Sequence, residues 1–339
     1  MATNRKVLIA CAGMAVLAIL VWFLLGRSEP ATPVAKLNGT FRIAAYNMEW
    51  FSEDANPERI RNLQSVIQNL QPDVVGVEEV QSRKALEQVF GDGWSIGIAD
   101  DPSEDQEVGI AVRKPLKLVS SKLIFGDADD YAFPGKRDVL RSVVETENGT
   151  RLTFYGVHMK SRGGGRLKTD PQRKMAAEIL AGYLAKQKGE LSIVLGDFND
   201  APEDESVKII ESGGSPLANP FKDLYDKDYV SFGLHDEFHG KALVPIIRLA
   251  KSENERTRGI EYRYPKDLRV TETLMDMILV SPRLVGKPGI YSGVDALRGK
   301  PGKTKKTDNG TDYVVKGSLA SDHLPVYLDI PQQSLASTK

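Results

Sequence analysis

The chain has 339 residues, 41% of them apolar and 27% charged, which is ordinary globular composition with ample material for a core. Its single cysteine, Cys11, excludes a disulfide framework and any multi-cysteine zinc site. A formal net charge of −1 at pH 7 argues against a protein that holds duplex DNA by bulk electrostatics.

The first predicted element is apolar. Residues 7–26, VLIACAGMAVLAILVWFLLG, form an uncharged run of twenty. At about 1.5 Å per residue such a run covers roughly 30 Å, the thickness of a bilayer core. No small-residue cleavage site follows Leu25, so we read residues 1–27 as an uncleaved N-terminal transmembrane anchor rather than a signal peptide. Arg5 and Lys6 before the span, against Arg27 after it, favour a cytoplasmic N-terminus and an extracytoplasmic, periplasmic or extracellular body. Without these three, the rest of the chain carries 42 basic and 46 acidic side chains. Any polyanion must then be met by a local patch or held weakly. SEPATPVAKLNG, residues 28–39, reads as a tether.

Residues 41–47 begin the folded body as a strand, and residues 56–70 carry a helical stripe of Ile60, Leu63, Val66, Ile67 and Leu70. Pro72-Asp73 breaks it before a buried strand at 74–80. Further strands are predicted at 108–113, 118–125, 139–146 and 151–160, the last two joined by the Asn148-Gly149 turn. A long helix is expected over 168–187, then a strand at 191–200, a polar irregular stretch over 201–272, and strands at 273–281 and 323–330. Alternating strands and helices with hairpins predict an α/β domain with mixed sheets over 40–331, and 332–339 is left as a tail.

Polar residues recur at the strand ends. Asn47 closes AAYN, Glu79 closes VVGVEE, His158 ends FYGVH, Asp197 and Asn199 follow IVLG in GDFN, Asp276 starts MDMILV, and Asp322-His323 opens the last strand in SDHLPV. Each alone is an ordinary turn or strand-end residue. If the loops bring Glu79, Asp197 and Asp322 together, three carboxylates converge that cannot all stay ionised without a cation. A hard, oxygen-preferring ion answers this, best Mg2+, with Mn2+ or Ca2+ possible.

In this order the stretches resemble the endonuclease/exonuclease/phosphatase superfamily, the deoxyribonuclease-like fold, across roughly residues 40–330. The resemblance implies a four-layer α/β sandwich of two mixed sheets flanked by helices. It also implies a metal-dependent phosphodiester hydrolase, with nucleic acid or another phosphodiester as its substrate. Glu79 is then the principal metal ligand, with Asn47 and Asp322 beside it. Asp197 orients or deprotonates water, and Asn199 donates to a phosphoryl oxygen. His323 serves in acid–base chemistry with Asp276 holding its ring. His158 is a general acid for the leaving oxygen, and Arg141 contacts phosphate. One departure is Glu78-Glu79 where many members have Gln-Glu; strand alternation puts the two on opposite faces, and the spacing after Pro72-Asp73 favours Glu79 as ligand.

The loop KSRGGGRLK, residues 160–168, is a candidate grip for a polyanion, and His235 and His239 are a weaker zinc candidate. Three readings follow: an anchored nuclease, the same chemistry on a phospholipid, inositol or sugar phosphate, and an inactive binding module.

Overall fold

A computed structural model describes residues 33–232, 273–293 and 320–336, except 103, 105, 135, 136, 164, 165, 228 and 230, and the short pair 305–307 and 310–312. The predicted anchor at 7–26, His235 and His239 lie outside these residues. Among the described residues no helix is long and apolar enough to cross a membrane.

The first half supplies β1 (Thr40–Phe51), α1 (Pro57–Leu70), β2 (Val74–Val80), α2 (Arg83–Phe90), β3 (Trp94–Ile98), β4 (Glu107–Arg113), β5 (Lys117–Leu123) and β6 (Leu140–Glu145). The second supplies β7 (Arg151–His158), α3 (Arg166–Leu184), β8 (Ser192–Asp197), α4 (Glu205–Ser212), α5 (Lys222–Tyr225), β9 (Asp276–Val280), β10 (Lys287–Ile290), β11 (Lys305–Thr307), β12 (Gly310–Asp312) and β13 (Val326–Pro331). One sheet runs β10-β13-β1-β2-β4-β3 and the other β5-β6-β7-β8-β9. Both are mixed: β1 with β2 and β7 with β8 are parallel, and their other pairings are antiparallel.

The sheets pack face to face. Ile43, Ala45, Val74, Ile110 and Val112 of one meet Leu152, Phe154, Leu195 and Ile278 of the other in one core. At Gly76 the approach is so close that a Cβ would lie 2.6 Å from Leu195 Cδ1. The opposite strand faces, Ala44, Tyr46, Val75 and Val77, carry α1 and α2 through Leu63, Val66, Leu70 and Leu86. Helix α3 covers the other sheet, with Tyr183 meeting Tyr155 edge to face at 6.2 Å. These are the four expected layers.

Local chemistry sets the boundaries. Helix α1 starts with Pro57 behind an Asn56 cap whose side chain accepts from the Glu58 N–H at 2.8 Å, and stops at Gln71 in the left-handed region. Sequence periodicity did not anticipate α2, β3, α5, β10, β11 or β12, which are short. β13 begins at Val326 rather than 323, because Ser321–Leu324 turns into the site.

Candidate active site

The parallel pairs β1/β2 and β7/β8 end on the same side of the sandwich and deliver Asn47, Glu79, His158 and Asp197 there. Cross-strand register extends the row: His158 stands opposite Asp197, and Asp197 opposite Asp276. Gly196 makes this possible. Its φ is +134°, and a Cβ there would lie 2.1 Å from the Val157 carbonyl oxygen and 2.7 Å from Glu78 Oε1.

The Ser321-Asp322-His323 turn closes over these strand ends. Ser321 Oγ donates to the Asn47 carbonyl at 2.7 Å and accepts from the His323 N–H at 3.0 Å. His323 Nδ1 lies 2.8 Å from Asp276 Oδ2 in a buried dyad. Burial opposes charge on this ring, yet Asp276, then Asp322 and Asp197, outweigh it and hold the imidazole well above its ordinary pKa. His158 has the opposite environment. Burial, then Arg137, His323 and Lys160, push its pKa well down, so it is a neutral imidazole at neutral pH. Its Nε2 lies 3.6 Å from Glu79 Oε1 and 3.8 Å from Asp197 Oδ2.

Asn47 braces the centre. Its Nδ2 donates to Glu79 Oε1 at 3.1 Å and Asp197 Oδ2 at 3.3 Å, while its Oδ1 accepts from the Glu49 N–H at 2.9 Å. Both amide hydrogens of Asn199 are engaged, on Asp197 Oδ2 at 2.9 Å and the Met159 carbonyl at 3.0 Å. The Asn199 side chain, expected to donate to a phosphoryl oxygen, here holds Asp197. Burial, then Asp276, raise the Asp197 carboxyl to about 7.

Arg141 is the clearest correction. It stands opposite Tyr155 on the helix-covered face of the second sheet and pairs there with Glu190, which also accepts from the Tyr155 hydroxyl. Strand alternation turns it away from the site. Arg137, four residues earlier in the loop before β6, is a cation that acts on both Glu79 and His158. The loop 160–168 is also corrected: Arg162 and Arg166 are tied to Asp200 and Asp204 rather than left open to a polyanion.

Two further residues, Glu49 and Ser231, escaped the sequence reading, and Glu78 was set aside there in favour of Glu79. Glu49, two residues past Asn47, accepts from the Asp322 N–H at 3.0 Å, and burial, then Asp322, raise its carboxyl to about 8. Ser231 Oγ donates to Asp276 Oδ2 at 2.6 Å and accepts from the N–H groups of Met275 and Asp276. Glu78 is fully buried, and burial, then Asp276 and Asp197, hold it well above the usual carboxylate range. The i,i+2 spacing of Asn47 and Glu49 was the only available signal among them.

One set of residues brings ligand atoms together, and a second supplies acidic oxygens beside it. Glu49, Glu79 and Asp322 form an all-oxygen acidic cluster, in which burial followed by Asp322 raises both glutamates. Asp197, Asp276 and His323 place ligand atoms within 4.8 Å of one another, but the short His323–Asp276 bond makes that group a dyad first. The donor chemistry of the glutamate cluster fits a hard divalent ion, whose charge would relieve the mutual repulsion.

Carboxylates, braced amides and a His–Asp dyad, gathered at the strand ends of a two-sheet sandwich, define a phosphoester hydrolase. The Endonuclease/Exonuclease/phosphatase family model matches residues 44–323, and the chain belongs to that family. No curated protein matches it by sequence. Solved structures share the fold. A D. rerio TDP2 complexed with single-strand DNA product is 16% identical, covering 86% of this chain and 99% of that one at a TM-score of 0.54. The human Nocturnin catalytic domain with bound sulfate is 17% identical over 87% and 94%, TM-score 0.52. A Bacteroides thetaiotaomicron mannosyl-6-phosphatase is 16% identical over 85% and 98%, TM-score 0.51.

Proposed function

We propose that the protein is a metal-dependent phosphodiesterase, a nuclease anchored by residues 7–26 with its catalytic domain outside the cytoplasmic membrane. The observation that carries this reading is the meeting of Asp197, the His323–Asp276 dyad and the Glu49–Glu79–Asp322 cluster at one set of strand ends. Mg2+, with Mn2+ or Ca2+ as alternatives, would be held by Glu79, Glu49 and Asp322 and would supply charge relief to the phosphoryl oxygens.

Asp197, kept in one orientation by Asn47 and Asn199, accepts the proton of the attacking water as its oxygen bonds to phosphorus. His323, held protonated by Asp276, returns a proton to the leaving oxygen as the phosphorus–oxygen bond breaks. Neutral His158 donates a hydrogen bond from Nε2 to a phosphoryl oxygen instead of serving as the general acid, and His323 keeps its acid–base role. Arg137 adds a fixed positive charge beside the phosphate.

The point of chain entry favours a substrate that is not a lipid of the anchoring bilayer. Val34 is tied to the Asn69 carbonyl near the end of α1, where β1 begins. Asn47 lies seven residues further along β1, roughly 23 Å away at about 3.3 Å per residue. The start of the described chain and the site therefore lie toward opposite ends of β1. The test is nicking of supercoiled plasmid by the full chain after chelator treatment, with and without added Mg2+. Cleavage that needs the cation and disappears in His323→Ala supports the reading. Intact plasmid with turnover of a small phosphomonoester would move the assignment to a phosphatase.

A further inference from the structure

The stretch after Asn47 is where β1 leaves its ladder. Pairing with β2 shifts register between Asn47 and Phe51, and Glu49 and Trp50 take φ values of 46° and 51°. Neither residue has the glycine or asparagine character that left-handed backbone favours, so the bulge is strained and must be held from outside. Its flanks, Met48 and Phe51, are fully buried. Arg59 of α1 donates to the Met48 carbonyl at 2.6 Å, the Glu49 carbonyl at 2.5 Å and the Ala320 carbonyl at 3.2 Å. Its guanidinium also sits 5.8 Å from the Phe51 ring centroid.

This clamp presents two side chains in opposite senses. Glu49 turns in to the Asp322 N–H. Trp50 remains 41% exposed while its own N–H donates to Glu79 Oε2 at 3.2 Å. A bulge beside a catalytic centre commonly serves to re-aim a side chain. A tryptophan whose only task was packing would be buried, and an exposed loop residue with no task would not need left-handed backbone.

We propose that Trp50 is a stacking platform for a nucleobase flanking the scissile phosphate, which names nucleic acid as the substrate class. This rests on the phosphodiesterase reading above. A single exposed indole, next to Glu49 and bonded to Glu79, offers a planar π-face rather than the extended apolar trough an acyl chain needs. The other large exposed hydrophobic residues among those described, Leu37, Val119, Tyr131, Met175 and Val285, belong to other segments. Stacking of a base on an aromatic side chain is sequence-tolerant, so it selects for a base without reading which base it is.

The experiment uses the full chain and two single-stranded oligomers of equal length and charge, one carrying bases and one fully abasic. Wild type is expected to cut the base-bearing oligomer with the higher kcat/KM. Trp50→Gly removes the ring and eases the left-handed backbone, so it should fold, and it should shrink that preference by about 5- to 150-fold through KM. Trp50→Phe should keep part of the preference. A preference unchanged in Trp50→Gly, or absent in wild type, overturns the proposal. Binding of both oligomers, read by fluorescence anisotropy in chelator, separates the two failures. If wild type cuts neither oligomer the phosphodiesterase reading fails, while a binding difference that disappears in Trp50→Gly still upholds the platform.

Discussion

Asp197 and Asp200 are three residues apart, both buried, and oppositely set. Asp197 faces Asp276 and Glu79, and burial followed by Asp276 raises its carboxyl to about 7. Asp200 is equally enclosed, but Arg173, Arg162 and Arg166 surround it; burial works against its charge and the three arginines prevail, holding it below the ordinary aspartate range. Arg173 Nε lies 2.9 Å from Asp200 Oδ2, and Ser206 donates to the same oxygen at 2.6 Å. The lesson is how one loop serves two purposes. The arginine cluster neutralises its own charge and locks the loop to α3 and α4. The carboxylate cluster does not, and burial leaves Glu49, Glu79 and Asp197 above the ordinary carboxylate range.

Breaking each side separately gives the largest expected effects. Asp197→Asn should lower kcat by about 10²- to 10⁴-fold, the range for loss of a general base. Thermal unfolding should change little, since relief of the repulsion from Asp276 is offset by an amide N–H turned toward the Asn47 and Asn199 donors that the carboxylate accepts. Asp200→Asn should do the reverse at neutral pH. It removes one of the two carboxylates that the buried Arg173 meets, leaving Asp170, and should lower stability by about 3 kcal/mol in denaturant titration. The pH dependence follows from the depressed folded pKa. Stability from Asp200 is present above its unfolded value of about 3.9 and is lost as pH falls through the lower folded value. The difference between wild type and Asp200→Asn should therefore close in acid. A gap that persisted there would remove the ion pairs as its cause.

A cation sharpens the same contrast at smaller magnitude. At about a hundredfold excess over its Kd, Mg2+ should stabilise the protein by about 2.7 kcal/mol. The gain should vanish in Glu79→Gln and survive in Asp200→Asn. Because Glu49 is raised to about 8 and Glu79 is also raised, binding must displace protons, and apparent affinity should climb with pH. Calorimetry in two buffers of different ionisation enthalpy checks this; equal heats would mean no proton is released.

Much of this was legible because chemistry interrupts hydrophobic pattern. Asn47, His158, Asp197 and Asp276 are polar groups ending or opening apolar runs, and alternation alone places them on the inward face. What alternation could not supply was parity and tertiary pairing. Arg141 seemed suitable until its register opposite Tyr155 fixed it on the outer face, while Arg137 sits in a loop that carries no period. Glu49 and Glu79 both depend on left-handed residues in register shifts, where the two-residue period fails. For the same reason Glu78 and Glu79, expected on opposite faces, both border the site. The arginines of 160–168 resembled a free basic patch because their partners, Asp200 and Asp204, are close only in the folded chain.

The smallest predicted effect concerns Ser231, whose hydroxyl bonds Asp276 Oδ2 and the N–H groups of Met275 and Asp276. Losing its hydroxyl should loosen the carboxylate that orients His323 and lower kcat about tenfold, the scale of one hydrogen bond to a charged group. Ser231→Thr should restore most of it. The sign of the pH effect separates positioning from general damage. His323 works protonated, and its raised pKa keeps it so up to that value, with activity lost as pH rises through it. A slackened Asp276 lets the pKa fall back toward about 6.5, so the alkaline limb of kcat/KM in Ser231→Ala should move to lower pH. A uniform loss at every pH, with the limb unmoved, would make Ser231 a packing residue instead.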